Sequence, residues 1–484
     1  MLPSPAICEQ ARRARDPRFD GVFFTAVRTP GIYCRPVCPA PAPRESNITY
    51  FANAASAEAA GYRPCLRCRP ELSPADGLWR RGDSLVARAT RLIDDGVLDD
   101  APLSALADRL HVGERHLRRL LTDALGTSPQ QLQATRRLLF AKQLLSETAL
   151  PITQVADAAG FQSLRRFNDA FAKAYGMPPG RLRKTRSEEV DAGPLTLRLA
   201  YRPPFDFAAT LGFLRPRALP GIERVGDAAY ARLLGADGSS LHLSEWGRDE
   251  PALRLSLHGF AANDLPAIVR RVRRMFDLDA DPRVIADQLA QDPRLARLQR
   301  MRPGLRLPGG WDGFEIAVRA VLGQQVSVAA ATTLARRLVA KFGEPVASPQ
   351  GEDLHSLFPS PQLLAEADLA GIGLTGSRIA TLRTLASAVT EGRVGFSAEQ
   401  SLEAFIAAWT GLPGIGDWTA HYIAMRALGH PDAFPAGDLV LRKQAGGDTP
   451  LSEKALRERA ERWRPWRGYA AIHLWHAASN KESP

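Results

Sequence analysis

Four cysteines fall into two close pairs, Cys34 and Cys38 in GIYCRPVC and Cys65 and Cys68 in PCLRC, with 26 residues between the pairs. This CxxxC…CxxC spacing suits a closed, tetrahedral four-thiolate site for one Zn²⁺ per chain. Spacing alone favours a structural site, yet zinc keeps its thiols deprotonated at neutral pH, so one of the four could also be a standing nucleophile. A second feature lies far downstream in LPGIGDWTA, residues 412–420. Gly414, Ile415 and Gly416, entered by a proline and followed by a helix, turn backbone N–H groups outward. Such a turn grips phosphate without reading sequence, although a lone Gly-x-Gly is more often a plain helix–helix turn. FPAGDLVLRK then places Asp438 22 residues past Gly416. A carboxylate there could stabilise a sugar cation and orient water; its plain role would be a helix N-cap.

These residues need scaffolds, and the chain is long enough for several. At 484 residues, with 45% hydrophobic content, it predicts two to four domains with real cores. No run of eighteen apolar residues is present and MLPSPAICEQARRARD lacks a secretory core, so a cytoplasmic, nucleoid-associated protein without membrane contact is expected. In that reducing setting clustered cysteines mean metal or redox chemistry rather than disulfides. Of the net charge of +11, residues 1–200 carry +8, from 29 Lys+Arg against 21 Asp+Glu, and almost all the cations are arginine. A solvated basic face is the bland reading; clustering on two helices points to nucleic acid.

All cysteines lie before residue 75, in Pro- and Gly-rich text that ends in the linker PELSPADG, 70–77. A repeat follows. LSALADRLHVGERHLRRLLTDALGTSPQQL from Leu103 and ITQVADAAGFQSLRRFNDAFAKAYGMPPGRL from Ile152 align at offsets of 49 and 50. Each copy reads as a short apolar helix, a tight turn, then a helix with an LRR triplet: two helix-turn-helix units. The second helices would present Arg115, His116, Arg118 and Arg119, and Ser163, Arg165, Arg166 and Asn168, to a major groove. After the charged linker KTRSEEVDAG, the stretches LTLRLAY, SLHLSEW and ALRLSLHG alternate as strands do, DLPAIVRRVRRMFDL reads as a helix, and from about 281 the pattern is helical.

The paired units over 84–186 resemble the AraC family's DNA-binding domain. The Gly-x-Gly turn with its downstream Asp resembles the helix-hairpin-helix DNA glycosylases. RPPFDFAATLGFL, MRPGLRLPGG, AVRAVLGQQVSV and RAERWRPWRGYAAIHLW extend that likeness to the AlkA-like branch over about 193–480. This resemblance implies excision of alkylated bases with Asp438 as catalytic carboxylate. It implies a base pocket of Phe213, Trp418, Tyr422 and Trp475, with Gln325 of GQQV at the tip that fills the gap left by the flipped base. Trp418 stands where strand-cleaving relatives carry a lysine, which implies simple base release. VRTPGIYCRPVC and SNITYFANAASAEAAGYRPCLRCRP resemble the zinc domain of the Ada-like adaptive-response family. There the first cysteine, here Cys34, accepts a methyl group from a DNA phosphotriester, and Arg35, Arg44, Arg63, Arg67 and Arg69 would contact phosphate. No cysteine follows Cys68, so reversal of O6-methylguanine is not expected.

The sequence thus predicts four domains. They are a small four-cysteine zinc α+β domain (1–75), an all-α AraC-type double helix-turn-helix (84–186), an α+β lobe (193–280) and an all-α helix-hairpin-helix glycosylase domain (281–480). The expected function is a methylation-sensing regulator fused to a glycosylase. Its expected partners are double-stranded DNA, both alkylated DNA and promoter sites, and RNA polymerase, met by a monomer. Two alternatives stand beside it: a regulator whose glycosylase-like half has lost catalysis and only docks on DNA, and an AraC-like regulator of small molecules with a purely structural zinc.

Overall fold

The structure, a computed structural model, describes residues 2–75, 84–184, 194–247, 250–347, 353–397, 399–447 and 449–479. Parts of both expected linkers, 76–77 and 185–193, lie outside these residues. The chain forms two compact units: 1–203 with 246–273 and 278–281, and 204–245 with 274–277 and 282–484. The stretch read as one α+β lobe, 193–280, is therefore divided between them.

In the first unit, four short strands carry the cysteines: β1 (Phe24–Val27), β2 (Ile32–Cys34), β3 (Ile48–Phe51) and β4 (Arg63–Pro64), ordered β3-β1-β2-β4. β2 and β4 run parallel, Tyr33 opposite Pro64, and the Cys65 N–H donates to the Tyr33 carbonyl at 3.0 Å. That register sets Cys34 and Cys65 side by side although 31 positions separate them.

The repeat is all helical: α1 (Leu103–Arg109), α2 (Glu114–Leu125), α3 (Pro129–Glu147), α4 (Ile152–Ala158) and α5 (Leu164–Tyr175). α2 and α5 each place apolar residues on one face, Leu117, Leu121 and Leu125 in the first and Phe167, Phe171 and Tyr175 in the second, and each ends on a glycine in the left-handed region. α3 joins the two copies, and the cysteine domain docks on it through buried polar groups. Glu58 accepts from the Tyr33 hydroxyl at 2.8 Å and from Thr135 of α3 at 2.5 Å. Burial pushes its carboxyl above the usual range. Glu71 pairs with Lys142 of α3, both side chains almost fully buried, and Arg69 bridges Glu71 and Glu147 at 3.1 Å each.

The expected strands near 195–200 and 252–258 are present as β5 (Leu195–Ala200) and, later in the chain, β9 (Glu250–His258), paired antiparallel. Arg202, just after β5, is fully buried and donates to the carbonyls of Asp20 (2.7 Å), Ala75 (2.7 Å) and Asp279 (2.9 Å). One guanidinium, with donors in a fixed fork, thus ties the cysteine domain to the segment after β5.

In the second unit an antiparallel meander, β6 (Glu223–Val225), β7 (Ala229–Leu233) and β8 (Ser240–Gly247), accompanies a helical body that includes α6 (Phe207–Leu214) and α7 (Gly313–Leu322). Arg232 of β7 reaches Glu315 at 2.5 Å, and Arg319 reaches Glu223 at 3.0 Å and Glu315 at 3.1 Å. These buried pairs fix the meander to α7. Among the described residues after 281, the helical pattern is interrupted by a two-stranded ribbon, Glu344–Pro345 with Ser356–Leu357.

Breaking the Glu71–Lys142 pair leaves the buried Glu71 carboxylate with Arg69 as its remaining ion-pair partner. Lys142→Met is expected to lower the unfolding free energy of the first unit by about 1–3 kcal/mol, and the double variant with Glu71→Leu to recover part of it. Denaturant unfolding of the two variants checks this.

Candidate functional site

The four sulfurs of Cys34, Cys38, Cys65 and Cys68 all lie within 4.8 Å of one another. Sulfurs placed about 2.3 Å from one zinc ion stand roughly 3.8 Å apart, so the cluster fits the ion the spacing called for. Hydrogen bonding with Cys38, then with Cys65 and Cys68, holds the Cys34 proton on, far above the ordinary thiol range. A dication among them favours the thiolates instead. The Arg35 backbone N–H donates to the Cys68 sulfur at 3.3 Å, a supporting contact typical of a ligand set. Cys34, Cys65 and Cys68 are buried and Cys38 is the more open of the four. Cys8 is fully buried against Ala11, Val22 and Phe23, its thiol pushed up by burial to about 11, and belongs to the core.

The arginines around the cluster divide in two. Arg44, Arg63 and Arg67 are exposed, as phosphate contacts must be. Arg35 and Arg69 correct the expectation. Arg35 lies along the Asp20 carboxylate, at 2.9 Å from Nε to Oδ1, and Arg69 is held by Glu71 and Glu147. Each immediately follows a ligand cysteine and fixes it to the fold rather than facing solvent.

On the helix-turn-helix helices, Arg115, His116, Arg118 and Arg119 of α2 and Arg165 and Arg166 of α5 are exposed, opposite the buried faces. Arg118 also pairs with Glu114 at 2.6 Å. Ser163 caps α5 by accepting from the Arg166 N–H, so its hydroxyl has a structural duty; Asn168 is half-buried one turn on.

The second unit assembles the other chemistry. After α8 (Val328–Phe342), the helices α9 (Leu402–Thr410) and α10 (Asp417–Ala427) flank the Gly414-Ile415-Gly416 turn. Gly414 has φ of 84°, and a Cβ there would run into Thr381, so internal packing requires glycine. A Cβ on Gly416 would meet no protein atom within 4 Å. Gly416 is also the N-cap of α10 without a side-chain cap bond, leaving the first N–H groups of that helix open to an outside acceptor. Ile415 is buried and anchors the turn.

Asp438 is the N-cap of α11 (Leu439–Gly446), its Oδ1 accepting from the Leu441 N–H at 2.9 Å. The plain role is therefore present. Trp418 Nε1 donates to Oδ2 at 3.1 Å, and Trp475 Nε1, from α12 (Arg467–Ser479), donates to Oδ1 at 3.2 Å. Two indoles thus orient the carboxylate. Trp418 stacks on Tyr422 with ring centroids 5.2 Å apart and planes 12° from parallel, and Tyr422 meets Trp475 at 6.3 Å.

Phe213 of α6 joins this group through a residue the sequence reading missed. Arg426 lies 4.8 Å from the Phe213 ring and donates to the Tyr422 hydroxyl at 2.8 Å. It is itself pinned by the Pro308 and Gly309 carbonyls at 2.5 and 3.2 Å. Arg217 covers Phe213 at 3.9 Å. Burial pushes the Tyr422 phenol up, but Arg426 and Arg217 outweigh it and hold the phenol below its usual range. Arg426 stands four residues after Tyr422, one helical turn away, and that spacing was the available signal.

Comparison with known proteins agrees segment by segment. Residues 7–71 match the metal binding domain of Ada, 106–185 a helix-turn-helix domain, 196–312 the AlkA N-terminal domain, and 318–467 the HhH-GPD superfamily of base excision DNA repair proteins. A Mycobacterium tuberculosis protein named "Probable bifunctional transcriptional activator/DNA repair enzyme AlkA" is 42% identical across 97% of this chain and 95% of its own. Escherichia coli DNA-3-methyladenine glycosylase 2 is 37% identical over 57% of this chain and 96% of its own. The solved 3-methyladenine DNA-glycosylase of Archaeoglobus fulgidus shares the fold, with a TM-score of 0.51 at 22% identity over 58% of this chain and 97% of that one. The chain is a DNA-binding protein with a zinc-binding Ada-type domain, and it belongs to the family of bifunctional transcriptional activator/DNA repair enzymes of the AlkA type.

Proposed function

We propose that the chain senses DNA methylation damage through Cys34, binds promoters through α2 and α5, and excises alkylated bases with Asp438. The observation that carries the repair activity is the Asp438 carboxylate, held by two indole N–H groups and a helix N-cap beside an aromatic group. Hydrolysis breaks the C1′–N bond, and its electron pair leaves with the base. Asp438 offsets the positive charge that develops on the sugar and accepts a proton from the attacking water. The faces of Trp418, Tyr422 and Trp475 suit a cationic alkylated base, contributing on the order of 0.5–2 kcal/mol for each well-placed face. With an indole rather than an amine at 418, the product is an abasic site on an intact strand.

In the sensor, the Cys34 sulfur attacks the methyl carbon of a methylphosphotriester. The S–C bond forms, the C–O bond breaks, and the electron pair stays on the phosphate as a diester anion. Bound zinc would keep that sulfur a thiolate at neutral pH. Conversion to a thioether removes one negative charge from the cluster, which raises affinity for the DNA polyanion. Arg44, Arg63 and Arg67 offer the phosphate contacts, while Cys38, Cys65 and Cys68 hold the metal. RNA polymerase is the partner of the promoter-bound form, a monomer working at the nucleoid.

Asp438→Asn is expected to lower release of 3-methyladenine from alkylated DNA by about a hundredfold or more, in a single-turnover assay; an unchanged rate would leave this half a docking domain. Trp475→Phe keeps an aromatic face but removes one donor to Asp438, and should slow release by roughly tenfold. Zinc-loaded protein incubated with methylphosphate DNA should gain one methyl on the Cys34 peptide by mass spectrometry. A methyl on Cys38 instead would reassign the acceptor to the more open thiol.

A further inference from the structure

Among the arginines inside the second unit, Arg426 stands apart. Arg232 and Arg319 share two carboxylates, Glu223 and Glu315, and those four charges cancel. Arg426 is 3% exposed, and every acceptor its side chain meets among the described residues is uncharged: the Pro308 and Gly309 carbonyls and the Tyr422 hydroxyl. The Gly310 N–H donates to the Arg426 carbonyl at 2.8 Å, so the 308–310 turn holds this residue by its backbone as well as by its tip. A guanidinium keeps its proton inside a protein, so a full positive charge is fixed at this place.

That charge lies against the aromatic group. The guanidinium carbon is 4.8 Å from the centre of the Phe213 ring and 5.6 Å from that of Tyr422. The Tyr422 oxygen gives a lone pair to Arg426 at 2.8 Å, and its own proton finds no acceptor among the described residues. Burial opposes ionisation of the phenol, yet Arg426 and Arg217 make that proton more acidic than usual. A polarised donor therefore stands on the same ring that stacks on Trp418, the residue that holds Asp438.

Aromatic faces alone favour a cationic base. A fixed cation behind them works the other way. Breaking the C1′–N bond sends its electron pair into the base. A neutral purine leaves as an anion and is then protonated by solvent; a cationic alkylated purine leaves neutral. The fixed charge stabilises the first transition state and repels the second, whose base is still partly cationic. We propose that Arg426, acting through the Tyr422 hydroxyl, is a positioning residue that sets how the site divides its action between neutral and cationic bases. This rests on the glycosylase reading above.

The test uses the full chain and two duplexes of one sequence, carrying either hypoxanthine, which is neutral, or 7-methylguanine, which is cationic, opposite the same cytosine. The readout is the ratio of the two kcat/KM values, neutral over cationic. A merely structural loss lowers both values together and leaves the ratio unmoved. Arg426→Met should lower the ratio about tenfold, the effect of one charge a short distance away at intermediate dielectric. Arg426→Lys keeps the charge and should retain most of the wild-type ratio. Tyr422→Phe keeps the ring without the hydroxyl and should lower the ratio about threefold; it carries the test if Arg426→Met does not fold. An unchanged ratio in Arg426→Met or in Tyr422→Phe, an equal fall in the Lys and Met variants, or a wild type that releases 7-methylguanine but no hypoxanthine overturns the inference. No release of either base by the wild type overturns the glycosylase reading instead.

Discussion

Four sulfurs held within 4.8 Å of one another place a constraint on the whole N-terminal unit. They cannot carry their charges without a cation between them. The strands around them are two to four residues long. The unit answers with charge pairs rather than with a larger core. Arg35 and Arg69, each next to a ligand cysteine, are locked to Asp20, Glu71 and Glu147, and Glu71 in turn is locked to Lys142 of α3. Through Lys142 and Glu147 these pairs are tied to α3, the helix that joins both helix-turn-helix units.

Asp438 works under a different constraint, that of orientation. A half-buried carboxylate is kept in one position by Trp418, Trp475 and the first turn of α11. On the proposed function, the aromatic residues that would suit an electron-poor base also aim the carboxylate, so pocket and chemistry would rest on shared side chains. Arg426 and Arg217 add a cationic backing to the aromatic group. Preorganised donors of this kind act when charge develops on the substrate, because they need no rearrangement at that moment.

Much of this was legible in the residues. The helix starts at Leu103 and Ile152 were visible because the repeat carries its apolar period twice, and the alternating stretches at 195, 240 and 252 became strands. The cysteine spacing foretold the cluster, and the Gly-x-Gly turn and Asp438 were legible as helix entries, which the structure places at the N-termini of α10 and α11. The strands of the cysteine domain were not legible, since so few residues show no period. Nor was the burial of Arg202, Lys142 and Arg426, because a cation reads as surface until its distant partners are known. Arg35 and Arg69 misled for the same reason. Proximity to ligands suggested phosphate contacts, whereas Asp20 and Glu147, distant in sequence from the residues they hold, turn them inward. The division of 193–280 between two units was likewise invisible, for strand alternation fixes which face is buried but not which neighbour buries it.

On the proposed function one chain carries two chemistries with different stoichiometries, one consuming its nucleophile and one regenerating its catalyst. A single time course tests it most directly: excess duplex bearing both a methylphosphotriester and an alkylated base, sampled for protein-bound methyl and for free base. Methyl incorporation should stop at one per chain while base release continues past one per chain. Methyl transfer that continues past one per chain, or base release that ends with the first equivalent, would rule out this division between a consumed nucleophile and a regenerated catalyst.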